Sequence, residues 1–291
     1  MSFGADFLDT YLSPVFYQRR FVKAHSYPNK AKFVQIEPRL TLTGSNADEW
    51  ICVKPGTEIL IAAAVANVII SENYHQIKKE EAEKIFSIVK DFTPEVVSEK
   101  SEISAEKIRQ IAREFATSKP QVAIGGGLIS SYNNSTDLMV LVNFINYLVG
   151  SVGKNVLLET YHNVKTSKIS DIKRFREAAE RGNVELLLIH SVNVVYLMKE
   201  FSELLKKFPF VINFSSYEDE TSQFSSLILP DNTPLERWGD SEPINGIFSI
   251  SQPVVSNVFK TKQTEDVLIS VSKNIGKFKE VENTFYEFLK N

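Results

Sequence analysis

Short apolar runs recur along the chain between longer segments that have helical periodicity. Runs of this kind, bounded by glycine, proline and polar residues, are typical of strands that are buried on both faces of a sheet. The predicted strands are Phe33–Ile36, residues 121–125, Val184–Ile189, Phe210–Phe214 and Leu227–Leu229.

The segments between the strands predict helices, because apolar residues recur every three or four positions or a cap residue precedes an apolar run. The predicted helices are one that ends near Lys23, Ile59–Ile70, Glu80–Asp91, Ser104–Ser118 with Ser104 as its N-cap, Leu138–Val149, Ser170–Arg181, Val195–Lys207 and a final pair that begins at Thr264 and at Val281. Strands that alternate with helices in this way predict an α/β fold with mostly parallel sheets.

The polar segment from Gly150 to Ser170 has no clear period and separates two series of alternating elements. We place the domain boundary within it, because polar segments without periodicity are typical of linkers. The sequence therefore predicts two doubly wound, mostly parallel-sheet lobes, residues 1–155 and residues 156–291. The first contains a strand that ends in Glu-Pro-Arg and a helix that follows Pro-Gly-Thr, and the second ends in helices.

Composition excludes several classes of protein and of site. The formal net charge is −3 without long runs of like charge, so we expect no nucleic-acid partner. Cys52 is the only cysteine, which excludes an internal disulfide and any metal cluster held by several thiolates of this chain. The longest apolar run, Ile59–Ile70, is shorter than the roughly 20 residues that span a bilayer, so no direct membrane span is predicted.

A candidate ligand pocket is predicted where the strand Phe33–Ile36 runs into Glu37 and Arg39. The carboxyl ends of parallel strands bind nucleotides in many α/β proteins. Glu37 has two interpretations. It accepts hydrogen bonds from a guanine or a ribose, or it caps the loop or pairs with Arg39.

Two further groups of residues border this predicted pocket. Gly56, Thr57 and Glu58 stand where a helix begins, and Glu58 favours the helix N-terminus electrostatically whether or not a ligand is present. Gly125 and Gly126 follow a predicted strand, and their lack of side chains lets a phosphate approach the backbone. This glycine loop lacks the lysine of a P-loop and the spacing of a dinucleotide fingerprint.

Several short motifs follow one another in a fixed order along essentially the whole chain. They are Phe3–Asp6, Ile36–Arg39, Pro55–Glu58, Ala112–Ala116, Gly125–Gly127, Gly150–Lys154, Glu220–Ser222 and Leu227–Pro230. In this order they resemble the middle region of the molybdopterin oxidoreductases of the dimethyl sulfoxide reductase type. The resemblance implies the α/β lobes of those enzymes and a site for molybdopterin guanine dinucleotide.

Residues 2–8 and 229–240 are similar to the molybdopterin-enzyme-like region of the iron–sulfur subunit of alternative complex III, a quinol-oxidising membrane assembly. That resemblance implies a region without the molybdenum cofactor. We therefore expect a structural domain of a membrane-bound respiratory electron-transfer complex, not catalytic alone, within a parent that resembles an oxidoreductase subunit. The expected partners are other segments and subunits of that complex, and the expected location is peripheral to the membrane, at its periplasmic face.

A departure from the family suggests that the pterin site is vestigial. Family enzymes hold the pterin with an arginine and polar groups after the Leu-Pro strand, whereas the corresponding residues 245–253 contain no arginine. We expect neither a cofactor nor a metal in this chain. The vestigial site comprises Glu37, Arg39, Gly56, Thr57, Glu58, Gly125, Gly126, Glu220 and Thr221. Two alternatives stay open: a fragment of an active molybdenum or tungsten bis-pterin oxidoreductase, and a nucleotide-binding module.

Trp238 is the candidate residue for partner docking. It is flanked by charged residues in a loop that contains glycine, a setting typical of aromatic residues that anchor a protein contact. The alternative is a tryptophan that closes the local core beneath the loop.

Overall fold

A computed structural model describes the chain except for residues 27, 29, 160, 161, 163–165 and 277–281. The helix start predicted at Val281 lies outside the described residues. The chain divides into two compact units, Met1–Glu159 and Thr160–Asn291. The predicted division into domains after residue 155 stays a prediction, because compactness alone does not test independent folding.

The first unit is built on a parallel sheet with the strand order β3-β2-β1-β4. Its strands are β1 (Ser2–Phe3), β2 (Val34–Glu37), β3 (Glu49–Cys52) and β4 (Ile124–Gly125). Its α-helices are α1 (Pro14–His25), α2 (Leu42–Ser45), α3 (Glu58–Ser71), α4 (Lys79–Val89), α5 (Pro94–Ser101), α6 (Ala105–Thr117) and α7 (Ser135–Leu148). Phe3 pairs with both Ile36 and Gly125, so the carboxyl ends of β1, β2 and β4 lie at one edge.

Helix α3 forms the centre of the first core because it is apolar on nearly all sides. Ile61, Ala64, Val65 and Ile69 are fully buried, and α4, α5, α6 and α7 all contact this helix. The predicted N-cap Ser104 is confirmed, since its hydroxyl accepts a hydrogen bond from the backbone N–H of Lys107 at the start of α6.

The second unit contains a parallel sheet with the strand order β5-β6-β7 and a separate antiparallel hairpin. Its strands are β5 (Leu186–His190), β6 (Phe210–Phe214), β7 (Leu227–Leu229), β8 (Gly239–Ile244) and β9 (Ile247–Ser251). Its α-helices are α8 (Ile169–Glu180), α9 (Val194–Leu197), α10 (Phe201–Leu205), α11 (Thr264–Asn274) and α12 (Phe285–Lys290). Ile189, Val211 and Leu205 lie in its core.

The α/β class with parallel sheets is confirmed, and three local predictions are wrong. Glu49–Cys52 is not among the predicted strands, yet it forms β3 because every one of its residues pairs with β2. The helix predicted for Val195–Lys207 is divided into α9 and α10, because Met198 has an extended backbone. No strand is predicted for residues 239–251, yet they form the β8–β9 hairpin, in whose turn Gly246 has a φ of +78°. None of the described helices is long and apolar enough to cross a membrane.

Candidate functional site

The strand order of the first sheet reverses at β1, which has β2 and β3 on one side and β4 on the other. Open α/β sheets bind their ligands outside the carboxyl ends of the strands at such a reversal. The loops that border it here are Gly4–Asp6 after β1 and Gly125–Gly127 at the end of β4. We call the space between these two loops the switch-point crevice, and it is the candidate site of the first unit.

The two loops of the switch-point crevice are in direct contact. A Cβ atom built on Gly127 would lie 2.2 Å from the carbonyl oxygen of Gly4, and one built on Gly4 would lie 2.2 Å from Cδ1 of Ile129. Both glycines have a φ near +65°, a conformation that L side chains rarely adopt. Glycine at these two positions therefore permits close packing of the chain against itself.

The side chain of Tyr11 covers the rest of the glycine loop. Its hydroxyl donates a hydrogen bond of 2.8 Å to the carbonyl oxygen of Gly125, and a Cβ atom on Gly126 would lie 2.6 Å from that hydroxyl. Burial, followed by the neighbouring phenol of Tyr17, raises the pKa of Tyr11, so this group is a neutral donor. A phenol thus stands against the glycine loop whose lack of side chains would let a phosphate approach.

Two buried carboxylates close the ends of β1 and β2. Asp6 Oδ1 accepts hydrogen bonds from the hydroxyl of Thr43 at 2.6 Å and from its backbone N–H at 3.3 Å. Glu37 Oε1 accepts from the backbone N–H and the hydroxyl of Thr41 at 2.9 and 2.8 Å, and its Oε2 accepts from Gln35 Nε2 at 2.8 Å. Glu37 therefore caps its own loop.

The structure places the other predicted residues of this pocket in separate roles. Arg39 is exposed. The hydroxyl of Thr57 donates to the carbonyl oxygen of Lys54 at 2.6 Å, which stabilises the turn before α3. Gly56 has a φ of +84° and open space where a Cβ atom would be, so the turn rather than a close approach requires glycine there.

Glu58 is the most unusual of the predicted residues, because its side chain is buried at the N-terminus of α3 and its Oε1 has no hydrogen-bond partner. Burial raises the pKa of Glu58, and hydrogen bonds from the backbone N–H groups of Glu58 and Gly56 offset this only in part. In the described part of the first unit, Gln35 Oε1 is the other buried side-chain oxygen without a partner.

In the second unit, Glu220 and Thr221 support the start of α9. Asn193 Oδ1 accepts hydrogen bonds from the backbone N–H of Tyr196 at 3.1 Å and from the Thr221 hydroxyl at 2.9 Å. Asn193 Nδ2 donates to Glu220 Oε2 at 2.6 Å, and this bond lowers the pKa of the exposed Glu220. The two predicted residues are brought together, with their polar groups used in capping a helix.

A cluster around Asp231 lies at the carboxyl ends of β5 and β7. The Asp231 side chain is 3% exposed, and its Oδ2 lies 2.8 Å from Nε2 of His190 and 3.3 Å from Nη1 of Arg237. Its Oδ1 accepts hydrogen bonds from the backbone N–H groups of Asn232 and Thr264, both at 2.9 Å. Sequence reasoning misses this cluster because His190, Asp231 and Thr264 are far apart in the chain, although His190 and Asp231 stand within two residues of the ends of predicted strands.

Trp238 is half-buried at the start of β8. Its ring packs on Tyr286 of α12 with a centroid distance of 4.4 Å, and its backbone N–H donates to Gln263 Oε1 at 3.1 Å. These contacts belong to a local core, and the docking role of Trp238 stays a prediction. The neighbouring hairpin exposes Ile247, Phe248 and other apolar side chains.

Neither unit presents a cluster of metal-ligand side chains among its described residues. No three His, Cys, Asp or Glu side chains are grouped there in a way that could hold a metal ion. Cys52, at the end of β3, is exposed.

Curated relatives match the chain over most of its length. It is 25% identical to the menaquinone reductase molybdopterin-binding-like subunit of Nitratidesulfovibrio vulgaris, over 95% of this chain and 43% of that protein. It is 20% identical to the thiosulfate reductase molybdopterin-containing subunit of Salmonella typhimurium, over 84% of this chain and 40% of that protein. The chain thus spans less than half the length of these relatives.

The fold has a counterpart among solved structures. Acetylene hydratase from Pelobacter acetylenicus superposes with a TM-score of 0.68 over 94% of this chain and 47% of that one, at 18% sequence identity. The sequence profile of the family described as molybdopterin oxidoreductase matches residues 3–274. With nearly the whole chain matched by that profile, the chain belongs to the molybdopterin oxidoreductase family.

Proposed function

We propose that this chain is a cofactor-free, structural domain of a membrane-bound respiratory electron-transfer complex, of the quinol-oxidising kind to which alternative complex III belongs. One observation carries the proposal. The switch-point crevice, where an α/β fold of this kind binds its ligand, is filled by the chain's own atoms. The backbone of Gly4 stands against Gly127, and the hydroxyl of Tyr11 stands against Gly125 and Gly126, so little room is left between the two loops.

The described residues do not fit molybdopterin guanine dinucleotide. A dinucleotide phosphate needs free backbone N–H groups at a glycine loop or a helix N-terminus. Here the backbone N–H of Gly126 donates to the carbonyl oxygen of Phe3 at 3.2 Å, and the hydroxyl of Tyr11 stands beside the same loop. Both carboxylate oxygens of Glu37 are engaged within the chain. The β8–β9 hairpin, which replaces the pterin-holding run, contains no arginine.

The respiratory setting rests on the relatives. One of them is a subunit of a menaquinone reductase whose name describes it as molybdopterin-binding-like. By analogy, we place this chain peripheral to a membrane, at the periplasmic face, with other segments and subunits of a respiratory complex as its partners. Trp238 and the exposed apolar residues of the β8–β9 hairpin are the proposed docking surface for them.

The test is the metal and pterin content of the protein purified in its native complex. Elemental analysis for molybdenum and tungsten and the fluorescence of oxidised pterin are measured beside a cofactor-loaded enzyme of the family as a positive control. We expect that this chain binds neither molybdenum, tungsten nor pterin at a stoichiometric level. One equivalent of either would overturn the proposal in favour of an active bis-pterin oxidoreductase.

The third interpretation, a nucleotide-binding module, is tested by calorimetry with guanosine diphosphate. We expect no heat of binding, because Glu37 is saturated by Thr41 and Gln35. Binding that is lost in Glu37→Gln would instead favour a nucleotide site at the end of β2. The matched control is Glu83→Gln, which changes an exposed carboxylate elsewhere in the first unit.

A further inference from the structure

Helix α1 presents one face to solvent that combines cations with aliphatic side chains. Val15, Arg19, Val22 and Lys23 recur at intervals of three and four positions and so share one side of the helix, with Arg20 beside them. All five side chains are exposed, Val15 and Val22 by 69% and 61%. We call these five residues the basic face of α1.

The opposite side of α1 attaches the helix to the first unit. Tyr17, Phe21 and His25 are partly buried there. The Phe21 ring lies 6.0 Å from that of Phe7 and 5.6 Å from that of Phe33. This aromatic packing fixes the orientation of α1, so the basic face points to solvent.

The charge on the basic face is not compensated by the described residues of the chain. Helix α1 contains no Asp or Glu, and none of the described carboxylates forms an ion pair with Arg19, Arg20 or Lys23. The nearby Asp48 is engaged with Lys30 and His25. The guanidinium of Arg20 lies over the ring of Phe16 instead, at 5.2 Å from its centroid.

We propose that the basic face of α1 binds the surface of an anionic phospholipid bilayer. Cations that alternate with exposed aliphatic side chains fit such a surface, because the charges meet lipid phosphates while the aliphatic groups enter the headgroup boundary. A nucleic acid would use the cations but leave Val15 and Val22 in water. The inference rests on the proposed peripheral location and names the element that would make the contact.

The test is flotation of the purified 291-residue chain with vesicles of phosphatidylcholine alone or mixed with phosphatidylglycerol. We expect flotation only with the mixed vesicles and a loss at high ionic strength, where charges are screened. Each basic side chain at an anionic surface changes partitioning about fivefold, so Arg19→Ala/Arg20→Ala/Lys23→Ala should lower it roughly a hundredfold.

The matched control removes the same charge from another exposed part of the first unit. Lys84→Ala/Lys90→Ala/Lys100→Ala should leave flotation unchanged within about twofold, because these lysines lie on or beside α4 and α5. The variant Val15→Ser/Val22→Ser keeps every charge and should still reduce flotation clearly. Circular dichroism of each variant shows whether its fold is retained.

Three results would overturn the inference. The first is wild-type protein that stays in solution with the mixed vesicles. The second is an equal loss of flotation in the control variant, which would mean that net charge alone is responsible. The third is binding to soluble polyglutamate that is unaffected by Val15→Ser/Val22→Ser, which would indicate an acidic protein partner. None of these alters the expected metal and pterin content, so the two proposals fail separately.

Discussion

The hydroxyl of Tyr11 donates a hydrogen bond of 2.8 Å to the carbonyl oxygen of Gly125. Tyr11 belongs to the connection between β1 and α1, whereas Gly125 ends β4, so this bond joins the two sides of the strand-order reversal. A side chain from the first connection of the fold thereby occupies the place where a ligand of such a sheet would lie.

Replacing Tyr11 with Phe should lower the free energy of unfolding of the first unit by about 1 kcal/mol, the usual net value of one hydrogen bond. In a Trp238→Phe background, the fluorescence of Trp50 in β3 reports on the first unit alone. Urea unfolding followed by this signal measures the effect. Tyr217→Phe, at a position that is 79% exposed, is the control and should have no effect. An unchanged midpoint for Tyr11→Phe would show that the bond is not formed in solution.

Gly127→Ala should destabilise the protein more than Gly153→Ala does. Both residues have positive φ, so each substitution costs about 1 kcal/mol or more for the left-handed conformation. Only Gly127 has the backbone of Gly4 at 2.2 Å from the new Cβ atom, whereas Gly153 has open space. Thermal unfolding of the two variants gives the comparison. Equal shifts in Tm would contradict the close contact between the loops.

Glu58→Gln should raise stability at neutral pH. Burial raises the pKa of Glu58 in the folded state, so folding binds a proton and stability falls as pH rises above the ordinary value of 4.5, levelling off above the raised pKa. The variant removes this loss, and its advantage should vanish below about pH 4. Unfolding by urea at a series of pH values measures the difference. If Glu58→Gln is less stable than wild type at pH 7, the carboxylate of Glu58 is ionised there and stabilises the fold.

Glu72, at the C-terminal cap of the same helix, should behave in the opposite way. The guanidinium of Arg113 donates to both of its oxygens, at 2.7 and 2.9 Å, and lowers the pKa of Glu72. This pair contributes stability that is present above the ordinary pKa of about 4.5 and is lost as pH falls through the lowered value. Glu72→Gln should therefore lower the free energy of unfolding at neutral pH. The difference in stability from wild type should disappear at a pH below the lowered pKa of Glu72.

Asp231→Asn should destabilise the second unit by about 2 to 3 kcal/mol, because a buried carboxylate that pairs with His190 and Arg237 is lost. A Trp50→Phe background leaves the fluorescence of Trp238 as the signal for this unit. Asp240→Asn, at an exposed position of β8, is the matched control and should be neutral. An unchanged free energy of unfolding in Asp231→Asn would mean that the cluster contributes no net stability to the free protein.

The sequence predicts those strands and helices whose formation depends on the residue pattern within a single short segment. The sequence predicts the strand Phe210–Phe214 with the bounds that the structure gives β6, because four of its five residues are apolar and turn residues stand beside it. It predicts helix α6 within one residue at each end, because Ser104 caps the helix and its apolar residues keep helical spacing. In both cases the pattern within a short segment was sufficient.

What depends on distant parts of the chain could not be predicted. The first residue of β3 is Glu49, whose charged side chain gives no sign of a strand. The strand forms because each of its residues pairs with a residue of β2. The sequence leaves the role of Glu37 open between binding a ligand and capping its loop, since Thr41 and Gln35 become its partners only after the loop is folded. Nothing near Tyr11 in the sequence indicates that its hydroxyl meets Gly125.

The contact between Gly4 and Gly127 limits what mutation can restore. A pocket blocked by one side chain is reopened by a single substitution, such as the truncation of Tyr11. Here the backbone of one loop also stands against the backbone of the other. No exchange of side chains removes that contact between backbones. Under the proposed cofactor-free role, an open ligand site at this position would therefore require insertions or deletions that respace the two loops.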